Sequence, residues 1–389
     1  MGVYSEYLDK QFSFDELSDE RKNQLKRISK LRGRDILVYA SNVNADAPNS
    51  IDYSDALPFA DQLSNITSDN IDIILQTPGG LAEVVEDLVH LVRKKHKEVG
   101  IIVPGMAKSA GTIFAMAADE ILMGDLSALG PIDAQIVSNG KRYSADAFLE
   151  GLKKIQEKAE KQRKIELAYI PMLQNISPGE IQHCENAQNF SKTLVTKWLK
   201  DYKFKNWTVH HSSQLPVSDE ERESRAKEIA EELCNHGKWL THGRSLGISE
   251  LRQLKLHITD YSLDSELNDA ITRYYTLLQM SFETNIYKIY ETPISQIYRS
   301  INKSNVINNN PLSLLPNPLI VNYACGKCHR EIRIQVNFNQ EFPIAEGNIP
   351  FPHNNRLICP HCSSENDLLG LRQQLEAQTK KRIVSGVTI

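Results

Sequence analysis

The sequence predicts an α/β protein with a largely parallel sheet, followed by a small separate module built on two cysteine pairs. Three observations carry this. Short apolar runs such as Asp35 to Ala40 (DILVYA) and Ile71 to Leu75 (IDIIL) alternate with segments whose apolar residues recur at helical spacing. The alternation gives way after residue 293 to a stretch rich in Asn, Ser and Pro. Four of the six cysteines then stand beyond that stretch as two Cys-x-x-Cys pairs.

The elements follow in order. Residues 1–33 are charged and helix-prone and read as an N-terminal helical segment. Asp35 to Ala40 is a buried strand, Asp55 to Leu63 a helix, and Ile71 to Leu75 a strand that runs into Gln76-Thr77-Pro78-Gly79-Gly80. The next helix shows its apolar face as Leu81, Val84, Val85, Leu88, Leu91 and Val92. Gly100 to Val103 is a strand, Ser109 to Ala118 a helix of small residues, and Ile121 to Met123 a strand. Ala145 to about Lys200 is helical, Ser218 to Asn235 is a charged helix, Lys238 to Thr241 a short strand, and Ile248 to Leu256 a helix. Residues 264–290 read as one long amphipathic helix, so 259–293 is expected to be an oligomerisation element. The divisions are therefore 1–33, a core at 34–258, the helix at 259–293, a linker at 294–320, and a cysteine module at 321–389.

Composition bounds the function. The chain has 389 residues, enough for about two or three domains of roughly 150 each, and a formal net charge of −4. That balance excludes a polybasic protein coating nucleic acid by charge alone. The N-terminus has no basic start followed by an apolar core, and Tyr7 stands where a myristoylation signal wants Ser or Thr. The most apolar run, Ser109 to Ala118, is about half the roughly twenty residues a membrane span needs. A cytoplasmic protein with no membrane span is expected.

The chemistry concentrates in two loops at the ends of strands: Thr77-Pro78-Gly79-Gly80, and Pro104 to Thr112 (PGMAKSAGT). In an open α/β sheet that edge is where ligands bind. Paired glycines let the backbone approach a substrate closely. Ser109 stands at a helix start, where unpaired N–H groups and the positive dipole end favour a developing anion. Taken singly, a serine there is an N-cap and Pro-Gly-Gly is a turn. Together, one helix and one strand apart, they fit a nucleophile beside its oxyanion site.

At these residues the chain resembles a known family. The segments ILQTPGGLAEVVEDLVHLVRKK (74–95) and IIVPGMAKSAGTIFAMAADEILMGDLSALGPIDAQ (101–135) are similar to the serine dehydrogenase proteinase family of the Clp/crotonase superfamily. Signal peptide peptidase A and the NfeD-type proteases are similar in the same places. The resemblance spans about residues 35–258, including Gly237 to His242 (GKWLTH). It implies a spiral of ββα units, a nucleophile at Ser109, an oxyanion hole from Gly79 or Gly80 with the N–H of Ala110, and a homo-oligomer.

The base departs from the pattern. Clp protease places a histidine after the serine strand and an aspartate much later. Here the first position falls at Asp133, in GPIDAQ, and the second near His236 or Gly237. A serine hydroxyl needs a proton acceptor. Lys141, in Ser138-Asn139-Gly140-Lys141, lies closest to where NfeD-type proteases keep theirs; Lys153 and Lys154 follow on the next helix. Lys108 adjoins Ser109, and adjacent side chains point apart. Asp133 either braces the loop after Gly130-Pro131 or orients the base. His90 and His96 are expected to be solvated, and His242 either holds its turn or takes part in catalysis.

Cys325-Gly326-Lys327-Cys328 and Cys359-Pro360-His361-Cys362 have the spacing that brings two sulfurs of each pair onto one tetrahedral Zn²⁺ at about 2.3 Å. Between them Ile332, Ile334, Val336 and Phe338 alternate as in a hairpin. A structural zinc ribbon is expected; paired disulfides or a redox couple fit a cytoplasmic setting poorly. His329, His353 and His361 are spare donors, and Phe338, Phe342 and Phe351 are the aromatics a nucleic-acid surface would use. Cys184 and Cys234 read as small buried hydrophobes.

These readings converge on a serine peptidase acting on protein or peptide through a Ser109 acyl-enzyme, with the ribbon recruiting substrate or a regulatory protein. A catalytically silent scaffold and a crotonase-like acyl-CoA enzyme are the alternatives.

Overall fold

Strands that are apolar on both faces need cover on both sides, and the chain supplies helices for each. The computed structural model describes residues 2–138, 140–210, 213–301, 317–379 and 381–384. The chain divides into two units, Met1–Ile301 and Asn302–Ile389.

The first unit opens with α1 (Val3–Asp9) and α2 (Phe14–Arg32). Ser13 and Glu16 close a reciprocal capping box at the start of α2, and Gly33 ends it in the left-handed region. There follow β1 (Asp35–Ser41), α3 (Ala56–Ser64), β2 (Asn70–Gln76), α4 (Ala82–Lys95) and β3 (Glu98–Val103). Next come the two-residue β4 (Met106–Ala107), α5 (Ala110–Met116), β5 (Glu120–Met123) and the two-residue β6 (Ala128–Leu129). A hairpin of β7 (Gln135–Ser138) and β8 (Lys141–Ser144) leads into α6 (Ala145–Gln162), α7 (Ile170–Leu173) and α8 (Pro178–Trp198). The unit closes with α9 (Asp219–Cys234), α10 (His236–Trp239), α11 (Ile248–Gln253), β9 (Thr259–Asp260), α12 (Ser265–Phe282), β10 (Ile286–Glu291) and β11 (Gln296–Ser300).

Seven strands form one sheet in the order β11-β10-β1-β2-β3-β5-β9. β1, β2, β3, β5 and β9 run parallel; β10 runs antiparallel to both of its neighbours, β1 and β11. Alternation along each strand divides the core. Leu37, Tyr39, Ile73, Ile101 and Ile121 point to the face covered by α3, α4, α5, α8 and α9. Ile36, Val38, Ile74, Ile102 and Leu122 point to the other, beneath α2 and α12. The result is the three-layer α/β arrangement of a Clp-like fold.

Three sequence readings change here. The long helix ends at Phe282, and its continuation pairs with β1 as a sheet strand. The helix itself is core rather than a free association surface: Leu267, Ile271, Tyr274 and Leu278 are buried. Residues 296–300, read as linker, form β11; of the remaining linker, residues 302–316 lie outside the described residues. Lys238 to Thr241 is not a strand, since Asn235 caps the short helix α10 there through the Lys238 N–H.

Charge fixes the layer of α2. Arg21 is fully buried and bonds both carboxylate oxygens of Glu291 on β10, while Glu291 also accepts from the Tyr274 hydroxyl at 2.7 Å. A buried pair of this kind is expensive to half-remove, because the remaining charge keeps its desolvation penalty.

The second unit packs β12 (Leu319–Ala324) against β13 (Glu331–Phe338), with β14 (Ile349–Pro350) on the far edge. A small ladder of β15 (Arg356–Ile358) and β16 (Glu365–Asp367), then α13 (Leu369–Thr379) and β17 (Ile383–Val384), complete it. Ile332, Ile334, Val336, Phe338 and Phe351 form its core. Phe338 and Phe351 are thus not available to stack on bases.

Among the described residues, no helix is long and apolar enough to cross a membrane. Replacing Arg21 by Met is expected to destabilise the first unit by about 3–5 kcal/mol. Denaturant unfolding monitored by fluorescence checks this; a change within error would show that the pair is not what holds α2.

Candidate functional site

The two glycine loops meet because parallel strands deliver both to the same sheet edge. After β2, Thr77 pairs with Ala107 of β4, and Gly80 pairs with Ile51. Ile51 donates to the Gly79 carbonyl at 2.7 Å and accepts from the Leu81 N–H at 2.9 Å, which zips the loop to its neighbour. Gly79 has φ +112° and Gly80 φ +150°. A Cβ on Gly79 would lie 2.7 Å from Cβ of Ser109, and one on Gly80 2.2 Å from the Ile51 carbonyl oxygen. Both positions exclude a side chain on space as well as on backbone angle.

Ser109 itself holds φ +51° and ψ −118°. A residue with a Cβ pays about 1–3 kcal/mol in such a region, and persists there only when its surroundings over-determine it. It precedes α5, yet its side chain makes no capping bond. The N-cap explanation therefore fails. Its hydroxyl has no hydrogen-bond partner among the described residues, and the residue is half-buried, open enough to be reached.

Around the hydroxyl, the N–H groups sort into used and unused. Gly79 N–H donates to Thr77 Oγ1 at 3.1 Å. Gly111 donates to Lys108 and Thr112 to Ser109, at 2.7 and 2.8 Å. The Gly80 and Ala110 N–H groups have no acceptor among the described residues. Of the two glycines, it is Gly80 whose donor is free, while Gly79 provides the space.

Lys108, next to the serine, points elsewhere. It is buried, and its Nζ donates to the carbonyls of Leu129 and Arg244 at 3.0 and 2.9 Å and to Ser245 Oγ at 2.9 Å. Desolvation lowers its pKa to about 8. Its place is to fasten three segments together beside Ser109.

Asp133 is buried with its side chain fully covered. One carboxylate oxygen accepts from His242 Nδ1 at 2.8 Å; the other accepts from His236 Nδ1 at 2.9 Å and from Gln135 at 3.0 Å. Burial pushes its pKa up, but the hydrogen bonds and charge of His242, with Ser144 and His236, hold it below the usual value. Sequence reasoning placed Asp133 in this loop but did not pair it with both histidines. The signal available was that the expected aspartate position fell at His236.

Lys141 opens β8, opposite Ser138 in the hairpin, and is exposed. Lys153 and Lys154 are also exposed and face Glu157 and Glu150 on α6. His90 is exposed as expected. His96 is not: it is buried, with Nδ1 2.7 Å from the Ser68 carbonyl. Cys184 and Cys234 are buried, and desolvation pushes the Cys234 thiol up to about 12, which makes it inert.

In the second unit Cys325, Cys328, Cys359 and Cys362 cluster with their sulfurs within 4.8 Å of one another. His329 at φ +56° and Ser363 at φ +57° follow the second cysteine of each pair, so two matching knuckles face each other. The Cys325–Cys362 and Cys328–Cys359 sulfur separations are 3.7 and 3.8 Å. Four sulfurs placed tetrahedrally about 2.3 Å from one ion would stand about 3.8 Å apart. A disulfide would need about 2.05 Å. The donor set fits a metal, and among the described residues no histidine joins it.

The fold and this edge define a ClpP-like α/β architecture. The ClpP-like SDH-type serine proteinase family matches residues 60–215, so that segment is similar to this family. Two uncharacterized proteins of Methanocaldococcus jannaschii are similar. One is 33% identical over 189 residues, covering 48% of this chain and 51% of its own length. The other is 27% identical over 211 residues, covering 54% and 58%. The chain thus matches only about half the length of these relatives. Among solved structures, a mutant of the 1510-N membrane-bound stomatin-specific protease aligns at 17% identity and TM-score 0.32, covering 56% of this chain and 79% of its own. A second mutant of it, in complex with a substrate peptide, aligns at 16% and 0.32, covering 64% and 80%.

Replacing Ser109 by Gly is expected to stabilise the first unit by about 1 kcal/mol, because glycine accepts this backbone conformation. A melting curve beside that of the parent reads it; a lower midpoint would remove the strain from the description.

Proposed function

We propose that the chain is a serine peptidase acting on protein or peptide substrates. Ser109 Oγ attacks the scissile carbonyl, the N–H groups of Gly80 and Ala110 take the oxyanion, and water later releases the acyl-enzyme. The observation that carries this is a strained, uncapped, accessible serine beside a glycine loop, with the Gly80 and Ala110 N–H groups lacking an acceptor among the described residues. Strain of this kind is a recurrent feature of nucleophiles at a strand-to-helix turn. The family match to residues 60–215 supports the same reaction class. A crotonase-like acyl-CoA reaction would need the oxyanion site but leave the strain at Ser109 without purpose.

The cysteine cluster is proposed to hold a structural Zn²⁺ through Cys325, Cys328, Cys359 and Cys362, and the module to recruit substrate or a regulatory protein. Its buried Phe338 and Phe351 argue against nucleic acid. Homo-oligomerisation is supported by apolar side chains left exposed near α7, Leu167 and Met172 among them. A cytoplasmic location is proposed with it.

Two measurements test the reading. A fluorophosphonate probe should label the chain at Ser109, by peptide mapping, and Ser109→Ala should take no label. An unlabelled, folded parent would overturn the nucleophile. Elemental analysis should find one zinc per chain, lost in Cys325→Ser or Cys359→Ser together with cooperative unfolding of the second unit. A metal-free chain with that transition intact would overturn the zinc assignment.

A further inference from the structure

We propose that His242 is the general base for Ser109 and that Asp133 positions it. The histidine and the carboxylate have then exchanged the places they hold along the chain of Clp protease. This rests on the reading of Ser109 as nucleophile.

Asp133 is fully covered and takes an Nδ1–H from His242, which fixes that imidazole as the tautomer with a free Nε2. A buried carboxylate that orients one ring nitrogen and leaves the other available is the arrangement a serine nucleophile needs; its members are recognised by role and not by chain order. His242 retains 27% side-chain exposure, so the ring is partly open.

Backbone pairing brings the His242 segment to the edge that carries the serine. Ala107 lies parallel to Leu129, and Leu129 pairs antiparallel with Leu246. All three segments therefore leave this small sheet in one direction. Ser109 follows on the first, Pro131 and then Asp133 on the second, Arg244 and then His242 on the third. The Lys108 ammonium ties the third segment down at Arg244 and Ser245. His236 also gives its Nδ1 to Asp133, on the other carboxylate oxygen. It begins α10, its backbone N–H donates to Asp146 on α6, and Glu150 of α6 lies beside Gly237. It braces the second oxygen of Asp133.

The proton balance is complete. Nε2 accepts the Ser109 hydroxyl proton as the Oγ–C bond forms and the carbonyl π pair moves to oxygen. The imidazolium returns that proton to the amide nitrogen as the C–N bond breaks. Water then loses a proton to His242 Nε2 as it attacks the ester carbonyl, and the imidazolium returns that proton to Ser109 Oγ as the Oγ–C bond breaks and the carboxylic acid is released. The Ser109 hydroxyl is uncommitted in the free chain; the triad closes on substrate, as catalytic hydrogen bonds commonly do.

The test is the second-order rate at which the full chain is labelled at Ser109 by the fluorophosphonate. His242→Ala should lower it by about a hundredfold or more, with circular dichroism and melting temperature kept. Added imidazole should restore part of the lost rate in the alanine variant. His242→Gln, which retains a donor to Asp133, keeps the test valid if the alanine variant does not fold. Labelling of a folded His242 variant within about threefold of the parent would overturn the proposal. So would a loss that appears in Lys141→Ala instead. If the parent is not labelled at Ser109, the nucleophile reading fails first, and the base with it.

Discussion

The contact between Gly79 and Ser109 is the constraint around which the first unit is arranged. No side chain fits at Gly79, because its Cβ would stand 2.7 Å from that of Ser109. Both residues hold positive φ, so neither conformation is one the backbone adopts unaided. Bridges to Ile51 on one side and Ala107 on the other impose them. The parallel sheet brings the loops to one edge, α4 and α5 anchor their far ends, and the cost of the conformation is met by burial in the layers behind.

Buried charge does the remaining positioning. Hydrophobic burial is large but undirected, whereas Arg21 on Glu291, Lys288 on Asp55 and Lys108 on three acceptors are directional. The first sets α2 against the antiparallel edge of the sheet. The second joins β10 to the start of α3, where the Tyr39 and Tyr290 hydroxyls also donate to Asp55. The third gathers the segments that carry Ser109, Asp133 and His242. Among the described residues Lys108 has no carboxylate partner, and its lowered pKa reflects the desolvation that this clamp entails.

The parallel core was readable because strands such as IDIIL are buried on both faces and end in glycine loops, a signal local to the sequence. Ser109 with its two loops was readable for the same reason. The four cysteines were readable from spacing alone. What escaped depends on contacts distant along the chain. β10 and β11 follow a helix without a clear break and are strands because β1 has a free edge. α10 forms where apolar spacing suggested a strand, since Asn235 supplies a cap. The pairing of Asp133 with residues 103 and 109 positions later cannot appear in any local pattern. His96 looked solvated on its helix end and is buried because the Ser68 carbonyl waits there.

The most direct measurement is a crystal structure of the chain after reaction with a peptidyl phosphonate. The expected result is a covalent bond to Ser109 Oγ with a phosphonyl oxygen about 2.7–3.1 Å from the backbone nitrogens of Gly80 and Ala110. An adduct whose oxygen faces away from both nitrogens, or one formed on another residue, would contradict the claim that this edge is built for an oxyanion.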